Sequence, residues 1–274
     1  MAIAAQRTAS PREMGAVVDG GPWPGALAAR RPALSASAGA LAGQERVGVV
    51  MGLQAEAECL RRPGDALAPL SWISGGSAER ARRGAEQLQA QGATALVSFG
   101  LAIGLAPVLR PGDVVIADRV VLPDGAAIAT DAAWRAALVQ RLAGSGLKVR
   151  VARIAGSDEV LTSAAAKRRA FQSTFAAALD TESHGVAEVA AAAGLPLLVV
   201  RAVAEPAETM RPAIAFAAVG EDGQTRGLAL VGRLARCPWE IPAAWRFSQD
   251  GRRALEALRR VAAAGPRPFA FAAG

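Results

Sequence analysis

The sequence predicts an α/β fold, a single domain of three layers (helix, sheet, helix) around a central, mostly parallel, partly mixed and twisted sheet. From Arg46 onward, short apolar runs alternate with Gly-rich turns and amphipathic stretches, a pattern typical of alternating strands and helices. Several runs are wholly apolar, as expected for strands covered by helices on both faces. Hydrophobic residues make up 52% of the 274 residues, which is ample for a sizeable core.

The predicted elements follow from these runs and from the helical spacing between them. Seven apolar runs are predicted as strands: 47–51, 70–73, 94–99, 113–122, 148–154, 175–179 and 197–202. Five amphipathic stretches are predicted as helices: 78–91, 132–143, 164–171, 182–193 and 251–263.

Composition divides the chain into three segments. Residues 1–44 are rich in Ala, Gly, Pro and Ser without strand or helix periodicity, so a flexible extension is predicted there. Residues 45–236 form the predicted α/β domain. Residues 237–274 are predicted to be a helical tail, in which tryptophans and arginines accompany an amphipathic helix. Such a helix either lies on an anionic membrane surface or packs Leu255 and Leu258 on the core.

The sequence shows no clear export signal or membrane span. Arg7 and Arg12 are not followed by an apolar core of the length that a secretory signal needs. The longest uncharged stretch, 87–109, is interrupted by glutamines, glycines and Pro107, which favours helix end, strand and loop over a membrane helix. The expected location is the cytoplasm, where the helical tail is either a peripheral contact to the inner membrane or a surface helix packed on the core.

The basic residues do not predict a nucleic-acid partner. The chain has 31 Lys and Arg against 24 Asp and Glu, a formal charge of +7, and its only lysines are Lys148 and Lys167. Arginine favoured by GC-rich coding is scattered over the surface, whereas binding to a phosphate backbone needs a clustered patch or aromatic platforms. No such cluster is evident, so no nucleic acid is expected to bind.

Cysteine and histidine restrict the available chemistry. Cys59 and Cys237 lie far apart without ligand spacing, so neither a disulfide framework nor a zinc site is indicated. The single histidine, His184, removes most Ser-His and His-metal chemistry unless that residue performs it. Carboxylates are therefore the candidates for acid–base work, and no metal is expected.

Polar residues follow several predicted strands, where ligands collect in open α/β sheets. Glu56 and Glu58 follow the first strand and either point into a cleft or begin a helix. Gly75 and Gly76 precede a helix that Ser77 is placed to cap, which suits either an anion site or an ordinary tight turn.

Three further segments have the same position after a strand. Residues 98–104 contain Gly100 and Gly104, which indicate positive φ, close approach of a ligand, or a buried packing turn. Residues 180–184 and 201–205 each place acids at a strand end, and two such acids near one cleft suit N-glycoside cleavage. His184 follows Glu182 by two residues and so faces elsewhere on a helix, which favours a structural role.

Three segments together resemble a known superfamily. They are VGVVMGLQAEAECL, ISGGSAERARRGAEQLQAQGATALVSFGLAIGLAPVLRPGDVVIADRVV and ALDTESHGVAEVAAAAGLPLLVVRAVAEPA. Their order is similar to the purine and uridine phosphorylases, which include the adenosylhomocysteine and methylthioadenosine nucleosidases, and the match covers about residues 46–208. The strings TESHGVA and RAVAEPA and the tail RLARCPWEIPAAWRFSQDGRRALEALRRV are most similar to the hopanoid-associated phosphorylases.

The resemblance implies an enzyme that removes adenine from adenosylhopane, a nucleoside with a polycyclic lipid on its 5′ carbon, in hopanoid biosynthesis. The implied reaction is phosphorolysis, with inorganic phosphate as co-substrate and no cofactor. Hydrolysis, as in the related nucleosidases, is the alternative. Members of the superfamily are oligomers, so a homo-oligomer is expected.

The resemblance also implies roles for individual residues. Glu182 matches the acid that binds the ribose hydroxyls, where its charge favours an oxocarbenium-like transition state. Glu205 matches the acid that protonates purine N7, and Glu56 matches the base that activates water in the nucleosidases. Four residues fall where the family holds phosphate or water and the sugar: Gly75, Gly76, Ser98 and Gly100.

Three residues depart from the family pattern. Glu205 replaces an aspartate, Thr181 replaces the methionine that packs on the ribose, and Ile103 replaces a loop glycine. A shift of the acid by about 1 Å costs on the order of 100-fold in rate. These departures motivate a third hypothesis, a degenerate member that binds a nucleoside or lipid without turnover.

Overall fold

The structure is a computed structural model that describes residues 46–61, 69–212 and 236–265, together with Gln224 and Phe269. The described residues form an eight-stranded sheet with helices packed against it. The predicted extension, 1–44, lies outside the described residues, as do 213–223 and 225–235 of the predicted α/β domain and 270–274 of the tail.

The strands and helices are named here in chain order. The strands are β1 Val47–Met51, β2 Leu70–Ile73, β3 Ala95–Gly104, β4 Val114–Val121, β5 Ala127–Ala129, β6 Val149–Gly156, β7 Ala178–Asp180 and β8 Leu197–Glu205. The helices are α1 Gln54–Leu60, α2 Ala78–Ala90, α3 Ala132–Leu142, α4 Ala164–Thr174, α5 Ser183–Ala193 and α6 Ile241–Ala263.

The sheet is mixed, as predicted. Its strand order is β2-β1-β3-β7-β6-β4-β5, and β8 pairs with both β3 and β4. Parallel pairs predominate, while β3–β7, β4–β5 and β4–β8 are antiparallel. Strands β3, β8, β4, β6 and β7 therefore pair in a closed circuit, which brings the ends of β7 and β8 close to β3.

Side-chain caps define where several helices begin. The Ser77 hydroxyl accepts a hydrogen bond from the backbone N–H of Arg80 at the start of α2. Asp131 and Ser163 make the same contact at the starts of α3 and α4. Each cap satisfies a backbone N–H that has no partner inside the helix, so helix starts are well marked in this sequence.

The core extends from the sheet to the last helix. Phe99 of β3, Ile116 of β4 and Trp134 of α3 are buried in one hydrophobic cluster. Leu258 and Val261 of α6 belong to the same cluster, while Leu255 packs against it from a partly buried position. The second half of α6 is therefore part of the core rather than a separate surface element.

The structure corrects several predicted boundaries. Helix α1, seven residues long, was predicted only as an alternative for Glu56 and Glu58, and strand β5, three residues long, was not predicted. Strand β3 continues to Gly104 instead of ending at Phe99, and α6 begins ten residues earlier than predicted. Strand β7 begins only at Ala178, because Phe175 adopts a left-handed conformation (φ 52°) that ends α4. No helix in the described part of the chain is long and apolar enough to cross a membrane.

Candidate active site

Asp180 and Arg201 form a buried ion pair where β7 and β8 end. The Asp180 carboxylate accepts hydrogen bonds from the backbone N–H groups of Glu182 (2.7 Å) and Ser183 (2.6 Å) and from the Ser183 hydroxyl (2.5 Å). Arg201 Nε donates to Asp180 Oδ2 at 2.8 Å. Burial alone would raise the pKa of Asp180, but Arg201 and Ser183 outweigh it and hold the pKa below its usual value.

Arg201 also connects this pair to β3 and to Glu182. Its Nη2 donates to the Ser98 hydroxyl at 2.7 Å and lies 3.5 Å from Glu182 Oε2. The Arg201 side chain is 1% exposed, so these contacts are made away from bulk water. A single buried cation therefore faces several acids at the ends of these strands.

Glu56 is held by backbone N–H groups from two elements. Its Oε2 accepts hydrogen bonds from Gly52 (2.7 Å) and Leu53 (2.9 Å) at the start of α1, and its Oε1 accepts one from Leu101 of β3 (2.8 Å). Burial raises the pKa of Glu56, although Arg201 and the three N–H groups oppose the rise. The carboxyl group is thus fixed in place yet inclined to keep a proton.

Gly100 gives Glu56 the room it needs. A methyl group placed on Gly100 would lie only 2.7 Å from Glu56 Oε1 and 2.8 Å from its Cδ. Gly100 and Gly104 both lie within β3 and have no positive φ, so the prediction of a loop conformation there is wrong. The close approach at Gly100 is made by the Glu56 side chain.

Glu182 completes this acidic cluster, which we define as Glu56, Asp180, Glu182 and Arg201. Burial raises the pKa of Glu182 to about 8; Arg201 lowers it, and the charges of Asp180 and Glu56 raise it further. A methyl group on Gly52 would meet Glu182 Oε1 at 2.5 Å and Glu56 Oε2 at 3.5 Å, so the two carboxyl groups flank one glycine.

The glycine loop before α2 lies beside Glu182. Gly75 and Gly76 have φ of 63° and 76°, values that favour glycine. A methyl group on Gly76 would lie 3.7 Å from Glu182 Oε1 and 4.0 Å from Thr181 Oγ1. The Ser74 hydroxyl is buried and has no hydrogen-bond partner among the described residues. Backbone N–H groups at a helix start and a free hydroxyl suit an anion.

Arg80 fixes the backbone of this loop. Its Nε donates to the Ser74 carbonyl at 2.5 Å, and its Nη2 donates to the Gly75 carbonyl at 3.0 Å. The two carbonyl groups are therefore turned toward the Arg80 side chain of α2, which holds the loop in this conformation.

Glu205, at the end of β8, has a different environment. Its Oε1 accepts a hydrogen bond from Lys167 Nζ at 2.6 Å, and its Oε2 accepts one from Arg211 Nε at 2.9 Å. We call Lys167, Glu205 and Arg211 the basic cluster. Within the described ranges, no hydrogen bond or ion pair joins Glu205 to Glu56 or Glu182.

A cleft of about 850 Å³ opens beside Glu205. Met210 and Arg211 line it, together with Trp239 in the turn before α6 and Phe247 of α6. The Arg211 guanidinium lies over the Phe247 ring, 5.6 Å from the ring centre. The cleft combines aromatic and charged walls and is large enough for a small organic ligand.

The structure brings most of the predicted site residues together. Two of them, Glu56 and Glu182, belong to the acidic cluster. The others lie beside it: Thr181, Ser98, Gly76 and Gly100, with Gly75 next to Gly76. Glu205 belongs to the basic cluster instead. Ile103 is buried within β3, where it pairs with Leu179 of β7. His184 is also buried, and its Nε2 lies 3.1 Å from Asp158 Oδ1.

Arg201 and Lys167, two cations of the site, were not predicted from the sequence. Arg201 interrupts an otherwise apolar run, and a charge inside a buried strand is a signal that could have identified it. Lys167 lies on an ordinary amphipathic helix, and its only signal is the scarcity of lysine in the chain. Among the residues that the structure describes, no group of His, Cys, Asp and Glu is arranged to hold a metal ion.

Comparison with known proteins identifies the family. The sequence matches the model of the phosphorylase superfamily over residues 62–236. The chain therefore belongs to the phosphorylase superfamily. This membership and the fold confirm the predicted enzyme class, the nucleoside phosphorylases and nucleosidases. A search of curated protein sequences found no match.

Solved structures of similar fold come from several bacteria. Futalosine hydrolase of Helicobacter pylori is 14% identical, with a TM-score of 0.58 over 79% of this chain and 97% of that one. The 5′-methylthioadenosine/S-adenosyl homocysteine nucleosidase of the same organism is 15% identical (TM-score 0.59; 80% and 98% covered). The corresponding nucleosidase of S. pneumoniae is 18% identical (TM-score 0.57; 80% and 99% covered). At these identities the likeness shows the fold.

Proposed function

We propose that the protein cleaves the N-glycosidic bond of adenosylhopane by phosphorolysis and releases adenine, as a step of hopanoid biosynthesis. The observation that supports cleavage is the pair of buried carboxyl groups of Glu56 and Glu182, which flank Gly52 beside the glycine loop. Membership of the phosphorylase superfamily supports the reaction class. The nucleosidases of similar fold support a purine nucleoside as the substrate.

Glu182 is proposed to bind the ribose. As the glycosidic bond breaks, positive charge develops on the sugar, and a nearby carboxylate stabilises that charge most strongly in a buried site. Because burial and neighbouring acids raise the pKa of Glu182 to about 8, the free carboxylate is costly, and a cationic transition state offsets that cost. Thr181, at the same strand end, is proposed to contact the ribose as well.

The glycine loop is proposed to bind the attacking phosphate. Gly75 and Gly76 precede the N-terminus of α2, where backbone N–H groups and the helix dipole favour an anion. The buried hydroxyl of Ser74 supplies a further donor. Ser98 and Gly100 are proposed to form the wall of the sugar site, with inorganic phosphate as co-substrate and no other cofactor.

Hydrolysis is the second candidate, and the position of Glu56 favours it. Glu56, Asp180 and Glu182 place three acids near one buried guanidinium, an environment that opposes a phosphate dianion. Glu56 is fixed by three N–H groups and has a raised pKa, as suits a base that takes a proton from water. In this version, water replaces phosphate at the anomeric carbon.

Glu205 is proposed to face the leaving base. The cleft beside it has aromatic and apolar walls that suit a purine ring, and its charged residues suit the ring nitrogens. Glu205 would protonate the base at N7, so that adenine leaves as a neutral molecule.

A lipid-linked substrate suggests a contact with a membrane. Trp239 and Trp245, at the start of α6, are 73% and 63% exposed, and Arg246 is exposed beside them. Tryptophan and arginine together favour the interface of an anionic bilayer. We therefore propose peripheral binding through residues 239–246 of a cytoplasmic protein, which we expect to be a homo-oligomer.

Vesicle binding tests the membrane contact. The full chain should sediment with phosphatidylglycerol vesicles but not with phosphatidylcholine vesicles, and the W239A/W245A double variant should lose this binding. Truncation before α6 is unsuitable, because Leu258 and Val261 belong to the core. Equal sedimentation of the double variant would contradict the proposed contact.

Phosphate dependence tests the reaction itself. Adenine release should be measured from adenosine that carries a long hydrocarbon on its 5′ carbon, with and without inorganic phosphate. Phosphorolysis predicts release only with phosphate and a sugar 1-phosphate as product. Equal rates in both conditions would assign hydrolysis instead. Saturable binding of the nucleoside without release of adenine in either condition would identify a nucleoside-binding protein without turnover.

A further inference from the structure

Lys167 is a buried cation that has no role in the reaction proposed above. Its side chain is 0% exposed, and its ammonium group makes three hydrogen bonds. Nζ donates to Glu205 Oε1 at 2.6 Å and to the backbone carbonyls of Pro206 (2.9 Å) and Thr209 (2.7 Å). Lys167 therefore reaches from α4 to the acid at the end of β8 and to the turn that follows it.

A lysine at this position is informative because the chain otherwise uses arginine. Of its 31 basic residues, only Lys148 and Lys167 are lysines, and Lys148 is exposed. An arginine guanidinium does not give up its proton in proteins, whereas a buried lysine ammonium does so readily. Burial lowers the pKa of Lys167; Glu205 raises it, and the charge of Arg211 lowers it further.

Glu205, in contrast, lies between two cationic groups. Both carboxylate oxygens accept hydrogen bonds from cationic groups, Lys167 on one side and Arg211 on the other. A proton on either oxygen would displace one of these bonds. A purine leaving group nevertheless needs a proton in the transition state. The proton must therefore reach Glu205 from a neighbouring donor while the base departs.

We propose that Lys167 is a positioning residue that supplies this proton through Glu205. The inference rests on the proposed cleavage of a purine nucleoside. In the step, an Nζ–H bond of Lys167 breaks as an O–H bond of Glu205 forms. That O–H bond then breaks as the N7–H bond of the base forms. The C1′–N9 bond breaks in the same step and leaves its electron pair on the base, and an oxygen of the attacking phosphate forms the new bond to C1′. Lys167 becomes a neutral amine and regains a proton from solvent after the base has left.

Arg211 has a complementary part in this step. Because its guanidinium remains charged throughout, it stays bonded to Glu205 Oε2 while the proton passes through the same carboxyl group. The Pro206 and Thr209 carbonyls accept hydrogen bonds from Lys167 Nζ and keep it directed at Glu205. In the basic cluster, Lys167 therefore provides the mobile proton, Glu205 passes it on, and Arg211 remains charged.

Two substrates whose leaving groups differ in their need for a proton can distinguish proton supply by Lys167 from a structural role of Lys167. Lys167→Arg keeps the positive charge but removes the transferable proton, so adenine release should fall about 100-fold. A nucleoside analogue with p-nitrophenol in place of adenine needs no proton, and its cleavage should fall less than about threefold. Lys148→Arg is the matched control and should change neither rate. Equal losses for both substrates would show that Lys167 only anchors the turn at 206–209 and would overturn the inference.

Lysine NMR provides a readout besides activity. With ¹³C at lysine Cε, the chain gives one signal from Lys167 and one from Lys148, and each signal reports whether its amine is charged. A Lys167 that supplies the proton must be charged before each turnover, so its signal should report an ammonium group in the pH range where adenine is released. Adenine release should decline as pH rises and that signal changes to the neutral amine, whereas release of p-nitrophenol should not follow the change. A Lys167 signal of a neutral amine throughout the active pH range would contradict the proton supply. If adenine neither binds nor is released from any nucleoside, the proposed function itself fails.

Discussion

The two charged clusters of this molecule have opposite charge balance. The acidic cluster places Glu56, Asp180 and Glu182 around a single buried cation, Arg201. The basic cluster places one acid, Glu205, between two cations. Both clusters are buried at strand ends of the same sheet, so the difference lies in their partners rather than in their depth.

In the proposed reaction the two clusters have different tasks. Where acids outnumber cations, burial and mutual repulsion raise the pKa of Glu56 and Glu182, so these groups gain from a positive charge nearby. Where cations outnumber the acid, each carboxylate oxygen of Glu205 accepts a hydrogen bond from a cationic group, and Lys167 is the group proposed to supply a proton. One cluster therefore suits the developing charge of the sugar, and the other suits the leaving base.

The largest expected effect follows from removing the charge of Glu182. Glu182→Gln keeps the size of the side chain but removes the carboxylate proposed to stabilise the sugar cation, so kcat for adenine release should fall about 1,000-fold. Glu188→Gln is the matched control, because Glu188 lies on the same helix and pairs with Arg82 at the surface. A Glu182→Gln variant within tenfold of the wild-type rate would remove Glu182 from the proposed mechanism.

The second prediction concerns stability and pH. The pKa of Glu182 is raised from 4.5 to about 8, so the folded protein retains a proton there that the unfolded chain has lost. This contribution is present below pH 4.5 and is lost as pH rises through about 8, an effect on the order of 5 kcal/mol. Urea unfolding at several pH values should show the decline in the wild type and a smaller one in Glu182→Gln. Identical slopes would contradict the raised pKa.

The third prediction concerns a substitution that disrupts the basic cluster. Glu205→Asp shortens the side chain by one methylene, so the carboxylate can no longer contact both Lys167 and Arg211. A displacement of about 1 Å should lower adenine release about 100-fold. Glu208→Asp, at an exposed position three residues later, should leave the rate unchanged. Faster release by Glu205→Asp would mean that the longer side chain impairs the acid.

The fourth prediction tests whether the absence of a side chain at Gly100 is needed to position the Glu56 carboxyl group. A methyl group there meets Glu56 Oε1 at 2.7 Å, so Gly100→Ala must push the carboxyl group off its three N–H donors. Adenine release should fall about tenfold, and the free energy of unfolding should fall by about 1–3 kcal/mol. Gly251→Ala is the contrasting variant, because its methyl group meets open space on α6 and should slightly stabilise the protein. Unchanged activity in Gly100→Ala would show that the position of Glu56 is unimportant.

Much of the fold could be predicted because its strands are buried and bounded by clear turns. The run at 47–51 has the same bounds in the structure, and the helix at 132 begins at its predicted residue because Asp131 caps it. Strand β5 was missed because three residues are too few for a periodic signal. The continuation of β3 past Gly100 depends on pairing with β7 and β8, which local sequence does not reveal.

The candidate site was predictable only in part. Strand ends and the family resemblance led to Glu56 and Glu182, and the structure places both against Gly52. The contact between Glu56 and β3 follows from the register that pairs Val50 with Ser98, which is a property of the folded sheet. Lys167 and Glu205 are 38 residues apart and meet only through tertiary packing. Sequence patterns identify such groups singly but not as pairs.

The smallest expected effect concerns His184, which belongs to neither cluster. Its ring is buried and its Nε2 lies 3.1 Å from Asp158 Oδ1, in the segment after β6. His184→Asn should change adenine release less than twofold and lower the free energy of unfolding by about 1 kcal/mol, because one hydrogen bond is lost. Asp158→Asn, measured by the same assay and by urea unfolding, should give a similar small change. A tenfold loss of activity in His184→Asn alone would extend the site beyond the two clusters to the N-terminus of α5.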